Sequence, residues 1–283
     1  MRRWQVAVLA VLGALALACE GTSAAAPSPS GKAKAKAGMP ASMAALGDSI
    51  TAGFGSCATL LACGRNSWAT GTSTSVNSHY LRIRDANSKI DGNAHNHALP
   101  GATAADMVAQ ATAAVKDKAE YVTILVGAND ACASRIDWMT DPATFRAQID
   151  AALAVLEKGL PKAHILVVSI PDLYRLWQLG HTDPEAVRAW NLLGTCPSLL
   201  ADPTSSAAAD ETRRRQFADR VDAYDHALSV ACQAYGRHCR FDQGAAHGVR
   251  FTLALVNHLD YFHPDADGER RLSEATYPGT FTW

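Results

Sequence analysis

Charge of either sign is nearly absent as an excess: 26 Lys and Arg against 27 Asp and Glu leave a net charge of -1 over 283 residues. No basic stripe breaks that balance, which removes the electrostatic reason to expect nucleic acid or an anionic membrane surface as the main partner. Paired motifs of metal chemistry are also missing. There is no C-x-x-C pair for a zinc or redox centre and no H-E-x-x-H helix, so a mechanism without metal or cofactor is expected. No segment repeats. The apolar run Val6 to Ala18 is too short to span a bilayer comfortably. What is present in quantity is apolar surface: hydrophobic residues make up 48% of the chain, ample for the core of one main domain.

The ends of that apolar run explain it better than membrane insertion does. Arg2 and Arg3 precede it and small residues follow, the layout of an export signal over residues 1–24. Cleavage fits after Ala18 or after Ala24, and either leaves a secreted chain. Ala16-Leu17-Ala18-Cys19 loosely resembles a lipoprotein box, but Ala stands where Leu is usual, so no lipid anchor is expected. Residues 25–38 are Ala, Ser, Pro, Gly and Lys, which bury too little apolar surface to fold and read as a flexible linker. The folded domain is assigned to residues 39–283.

Of seven cysteines, Cys19 falls in the leader, leaving Cys57, Cys63, Cys132, Cys196, Cys232 and Cys239. An even number in an exported chain points to disulfides, with about 15 possible connectivities. Cys57 with Cys63 and Cys232 with Cys239 are close enough to close local loops. Cys132 is then left for Cys196.

Short apolar or β-branched runs at Met43–Leu46, Ala94–Leu99, Tyr121–Val126 and His164–Ile170 predict strands. Helical spacing of apolar residues predicts helices over Ala102–Lys118, Pro142–Leu160, Thr212–Tyr235 and Asp265–Ala275. Strands alternating with helices predict an α/β fold, a three-layer α/β/α sandwich with a mostly parallel central sheet.

In such a sheet, chemistry collects beyond the C-terminal ends of the strands. Gly47-Asp48-Ser49-Ile50-Thr51 follows the first strand, Pro100-Gly101-Ala102-Thr103 the second and Gly127-Ala128-Asn129-Asp130 the third, while Asp260-Tyr261-Phe262-His263 lies near the C-terminus. Each alone has a plain reading: an N-cap serine, a turn glycine, an Asx-turn, a solvated start of a helix. Four such loops at one sheet edge are a different matter, because together they supply a nucleophile, oxyanion donors and an acid-base pair. A serine hydroxyl attacks only when a base takes its proton, and His263 is the candidate base and later acid. Asp260, three residues before it, is placed to fix the imidazole tautomer and stabilise the imidazolium. Ser49 at a helix start would gain from the positive end of the dipole. Asp48 and Asp130 are expected to accept loop N–H bonds rather than react. His79, His95, His97 and His164 read as loop or strand-start residues.

With these blocks in hand the chain resembles the GDSL, or SGNH, hydrolases. Ser49, Gly101, Asn129 and His263 stand in that family's order over residues 42 to 275. The resemblance implies the flavodoxin-like SGNH fold and an oxyanion hole made by the backbone N–H groups of Ser49 and Gly101 and the Asn129 amide. No G-x-S-x-G elbow is present, which argues against an ordinary α/β-hydrolase lipase. Gly127-Ala128-Asn129-Asp130-Ala131-Cys132 is similar to the third block of phospholipase B-like members and tilts the expected substrate toward lipid esters.

The segment Pro171 to Pro203, with Tyr174, Trp177 and Trp190, reads either as a loop holding an acyl or aromatic group or as one anchored by its own cluster and Cys196. The expected protein is a secreted serine hydrolase of carboxylic esters, a lipase, esterase or phospholipase working through an acyl-enzyme. Its substrate is a small-molecule or lipid ester, with transient contact with lipid aggregates, and the chain acts as a monomer. The alternatives are a carbohydrate O-acetyl esterase and a non-catalytic surface binding module.

Overall fold

The computed structural model describes residues 38–283. The expected signal peptide, and the linker up to residue 37, lie outside the described residues. Five strands, β1 (Met43–Gly47), β2 (Ala94–Asn96), β3 (Tyr121–Leu125), β4 (His164–Val167) and β5 (Cys239–Phe241), form one parallel sheet in the order β2-β1-β3-β4-β5. β1 and β3 are buried along their whole length, which is why their sequences are continuous apolar runs rather than alternating ones.

The chain order of the strands decides where the helices go. A parallel crossover is right-handed, so stepping outward from β1 to β2 and stepping the other way from β2 to β3 put the connecting helices on opposite faces. Helix α1 (His79–Ala86) makes the first step. Helices α2 (Met107–Lys116), α4 (Pro142–Gly159) and α8 (Ala208–Tyr235) make the later ones and pack side by side on the second face. The C-terminal helix α9 (Ala266–Thr276) lies with α1 on the first face. There the His79 ring bonds the Tyr121 hydroxyl of β3 at 2.9 Å and the Thr276 hydroxyl of α9 at 3.0 Å. The reading of His79 as a polar loop residue is therefore corrected. It is fully buried in α1, and burial lowers its pKa to about 3, so it stays a neutral core bridge. On the other face the Phe145 ring of α4 stacks on Tyr224 of α8 at 4.2 Å between centroids.

Several helices start where short acceptors meet unpaired N–H groups. Ser78 caps α1, Asp141 caps α4 ahead of Pro142, and Asp265 caps α9. Helix α2 is shorter than Ala102–Lys118 because Thr103 and Asp106 form a capping box around a 3-10 turn, Ala104–Asp106, before it. β2 ends three residues before Leu99, although His97 and Leu99 still donate to Ala45 and Gly47 of β1 at 2.8 and 3.2 Å until Pro100 stops the pairing. β4 ends at Val167 because Ile170 turns its N–H to the Asp225 carboxylate at 2.8 Å.

Neither α1 nor β5 is among the expected elements. The segment Pro171 to Pro203 is not a loop: it holds α5 (Leu173–Gly180), α6 (Pro184–Leu193) and α7 (Pro197–Leu200). Three cysteine pairs lie at bonding distance, Cys57–Cys63, Cys132–Cys196 and Cys232–Cys239, with Cα–Cα separations of 5.9, 4.4 and 5.3 Å. The middle pair ties the end of β3's loop to α7. Among the described residues, no helix is long and apolar enough to cross a membrane.

Candidate active site

The strand order reverses at β1, with β2 on one side and β3 on the other, and chemistry in an open parallel sheet collects beyond the C-terminal ends of the strands at such a switch point. Gly47 ends β1 with φ +151°, and a Cβ there would lie 2.2 Å from the Leu125 carbonyl of β3. Only glycine lets the chain leave the sheet so close to its neighbour. The turn that follows is held by the Asp48 carboxylate, which accepts the Ile50 N–H at 3.0 Å.

Ser49 does not start a helix. Residues 48–57 are successive turns, because Gly53 and Gly55 adopt φ of +67° and +82° and break any regular ladder. The expected contribution of a helix dipole at Ser49 is therefore withdrawn.

His263 reaches Ser49 from 214 residues away. Its Nε2 lies 2.9 Å from the Ser49 Oγ, and its Nδ1 lies 2.7 Å from the Asp260 Oδ2. The other Asp260 oxygen accepts the backbone N–H groups of Phe262 and His263 at 2.9 and 3.1 Å. With Asp260 able only to accept, Nδ1 carries the proton and donates, and Nε2 is left to accept the Ser49 hydroxyl proton. The ring rests against Phe54, 4.6 Å between centroids, which fixes its plane.

The second and third blocks meet each other on the loops that follow the neighbouring strands β2 and β3. The Asn129 amide, on the short helix α3 (Ala128–Ala131), donates to the Ala102 carbonyl at 2.8 Å, next to Gly101. The following residue, Asp130, accepts the Ala104 N–H at 2.9 Å. Asn129 and Asp130 thus hold the residues just after Gly101, while the Leu99 bond to Gly47 ties the start of the turn to β1. Among the described residues, neither the Ser49 nor the Gly101 backbone N–H has a protein acceptor, and the Asn129 amide has one proton uncommitted. That leaves three uncommitted donors on the loops that follow β1, β2 and β3.

The sequence pattern of the GDSL-like Lipase/Acylhydrolase family matches residues 43–276. The chain belongs to this family. Solved structures of similar fold include a Parabacteroides merdae protein assigned as a GDSL-like lipase, 16% identical, with a TM-score of 0.52 over 84% of this chain and 94% of that one. A variant of an acetyl-xylooligosaccharide esterase from Geobacillus is likewise 16% identical, with a TM-score of 0.50 over 86% of this chain and 94% of its own. An extracellular lipase from Streptomyces rimosus is 16% identical, with a TM-score of 0.48 over 84% and 97%. The comparison with curated proteins gave no match. At these identities the likeness is one of fold.

In this GDSL-like hydrolase the ground beneath Ser49 is acidic and dry. Asp48 is fully buried, and burial pushes its pKa up to about 7 against the opposing pull of the Ile50 N–H and of His263. Glu269 of α9 is also fully buried and raised well above the usual range by desolvation, with one oxygen accepting the Trp68 N–H at 2.9 Å. Both carboxyls brace turns, as expected of Asp48 and, through Ala104, of Asp130.

Sequence reading missed three residues that shape the site: Phe54 against the imidazole, Glu269, and Asn257, which bonds the segment that follows Ser49. None has a motif of its own, since each acts through contacts with residues distant in the chain. The oxyanion assignment makes a definite forecast. Asn129→Ala should lower kcat on a soluble ester roughly 100-fold or more, about 3 kcal/mol, at a melting temperature close to wild type. Near-normal turnover in a well-folded variant would remove Asn129 from that role.

Proposed function

We propose that this chain is a secreted serine hydrolase of carboxylic esters, a lipase or esterase with a leaning toward lipid substrates. The observation that carries the reading is the continuous Ser49–His263–Asp260 hydrogen-bond relay. Ser49 Oγ bonds to the ester carbonyl carbon while its proton passes to His263 Nε2, and the C=O electron pair moves onto oxygen. That oxyanion faces the free N–H groups of Ser49 and Gly101 and the uncommitted Asn129 proton. Collapse breaks the bond to the leaving alkoxide, which takes the proton from His263. Water then enters, gives its proton to His263, attacks the acyl-enzyme, and releases the acid as Ser49 regains its proton.

Exposed leucines on the surrounding loops and on α6 support an acyl-chain substrate. Leu61, Leu99, Leu192 and Leu259 are 69%, 60%, 81% and 52% exposed. Leu99 lies two residues from Gly101 and Leu259 is next to Asp260, while α6, which carries Leu192, is joined to the histidine loop by Trp190 donating to the Tyr261 carbonyl at 3.0 Å. Three disulfides and the N-terminal signal pattern support export.

The esterase structure named above keeps carbohydrate O-acetyl ester hydrolysis as the second reading. Nitrophenyl esters from acetate to palmitate, assayed beside phosphatidylcholine, separate the two. The proposal expects kcat/KM to rise beyond acetate toward medium or long chains, whereas turnover confined to acetate favours the carbohydrate esterase.

A further inference from the structure

Asn257 is 4% exposed and lies six residues before His263, where it makes two sets of bonds. One set closes the histidine loop on itself. Its backbone N–H donates to the His263 carbonyl at 2.8 Å, its carbonyl accepts the Tyr261 N–H at 2.7 Å, and its side-chain oxygen accepts the Leu259 N–H at 2.8 Å. The other set leaves the loop. The Asn257 amide nitrogen donates to the Gly55 carbonyl at 3.0 Å and the Thr59 carbonyl at 3.3 Å, about 200 residues earlier in the chain.

Gly55 belongs to the nucleophile's own segment, since the preceding Phe54 donates to the Ser49 carbonyl at 2.9 Å. The two segments touch at this point. A Cβ on Gly55 would lie 2.8 Å from the Asn257 amide nitrogen and 3.2 Å from the His263 Cβ. Thr59 sits in the loop closed by Cys57 and Cys63, and that loop returns onto the same segment through Cys63 N–H to Gly53 at 3.2 Å and Gly55 N–H to Leu61 at 3.1 Å.

We propose that Asn257 is a positioning residue that clasps the His263 loop onto the Ser49 segment, with the Cys57–Cys63 loop as the second surface it grips. The proposal rests on the reading of Ser49 as nucleophile. The Ser49–His263 contact spans two loops from opposite ends of the chain, so its length is set by whatever joins those loops. Asn257 joins them with both of its amide protons, while its oxygen keeps its own loop closed. No other side chain of that length offers two donors and one acceptor. Loosening the clasp moves imidazole and hydroxyl apart without touching the substrate, so turnover per active site falls while binding stays.

The test compares wild type, Asn257→Ala, Asn257→Asp and the double variant Cys57→Ser/Cys63→Ser on nitrophenyl butyrate, with active sites counted by a fluorophosphonate. Asn257→Asp keeps the shape and the acceptor for Leu259 but has no proton for Gly55 or Thr59. Both Asn257 variants should lose roughly 10- to 100-fold in kcat per titrated site, with KM within about twofold, as expected for a misplacement near 1 Å. The cysteine variant should lose kcat in the same way, and combining it with Asn257→Ala should add little, because both act through one contact.

An Asn257→Asp enzyme with wild-type kcat per titrated site would show that the side chain only fills space and would overturn the proposal. If the Asn257 variants do not fold, the cysteine variant decides by the same criterion: a lower kcat at unchanged KM supports the clasp, and unchanged kcat overturns it. Wild type that neither turns over the ester nor reacts with the fluorophosphonate defeats the nucleophile reading itself, an outcome distinct from loss of the clasp alone.

Discussion

Ser49→Ala is expected to lower ester turnover on the order of 10⁴- to 10⁶-fold, the range over which removal of a serine nucleophile collapses a relay that works as one unit. The size follows from the geometry. His263 Nε2 has Ser49 Oγ as its bonded partner at 2.9 Å, so without the hydroxyl the imidazole has no proton to take and no covalent intermediate can form. Stability should barely change, because only one hydroxyl is lost from a turn held by backbone bonds and Asp48, and His263 keeps its bond to Asp260. Rates on nitrophenyl butyrate, fluorophosphonate labelling and a melting curve on the same preparation check all three points. Substantial turnover in a folded Ser49→Ala protein would end the assignment of Ser49.

Asp260→Asn carries the next largest effect, about 10⁴-fold in kcat, although the change is one atom. One carboxylate oxygen of Asp260 is occupied by two backbone donors, Phe262 and His263 N–H. An asparagine must therefore place its carbonyl oxygen there, which turns its NH₂ toward His263 Nδ1. Nδ1 would have to become the acceptor and the ring proton would move to Nε2, facing Ser49. An imidazole in that tautomer cannot accept the serine proton. The fold should persist, since the loop bonds are kept, and KM should change little. Activity within about tenfold of wild type would mean that the histidine tautomer is held by something other than Asp260.

Some of the architecture was legible from pattern alone. β1 and β3 are central, buried on both faces and therefore written as unbroken apolar runs, and α4 and α9 begin at aspartate caps beside helical periodicity. β5 was not legible, because three half-buried residues at a sheet edge carry no period. Helices α5 to α7 read as a loop in the sequence, since the proline and glycine positions that punctuate them also mark turns. The helix after Ser49 was expected from a cap-like serine. Two left-handed glycines four and six residues later prevent it, and their conformation depends on close approach to Cys63 and Asn257 rather than on local sequence.

The candidate site divides along the same line. Which chemistry this chain can offer was readable in its residue types: an alcohol, an imidazole, a carboxylate and an amide, each after its own strand or turn, because reactivity belongs to the side chain and survives translation into a string of letters. Their meeting is a property of the folded sheet alone. Ser49 and His263 are 214 residues apart, and they touch because the strand order reverses beside β1 and the last loop is pinned to the nucleophile segment by a buried asparagine. Distance in space at that separation is set by topology and packing, which no local pattern encodes.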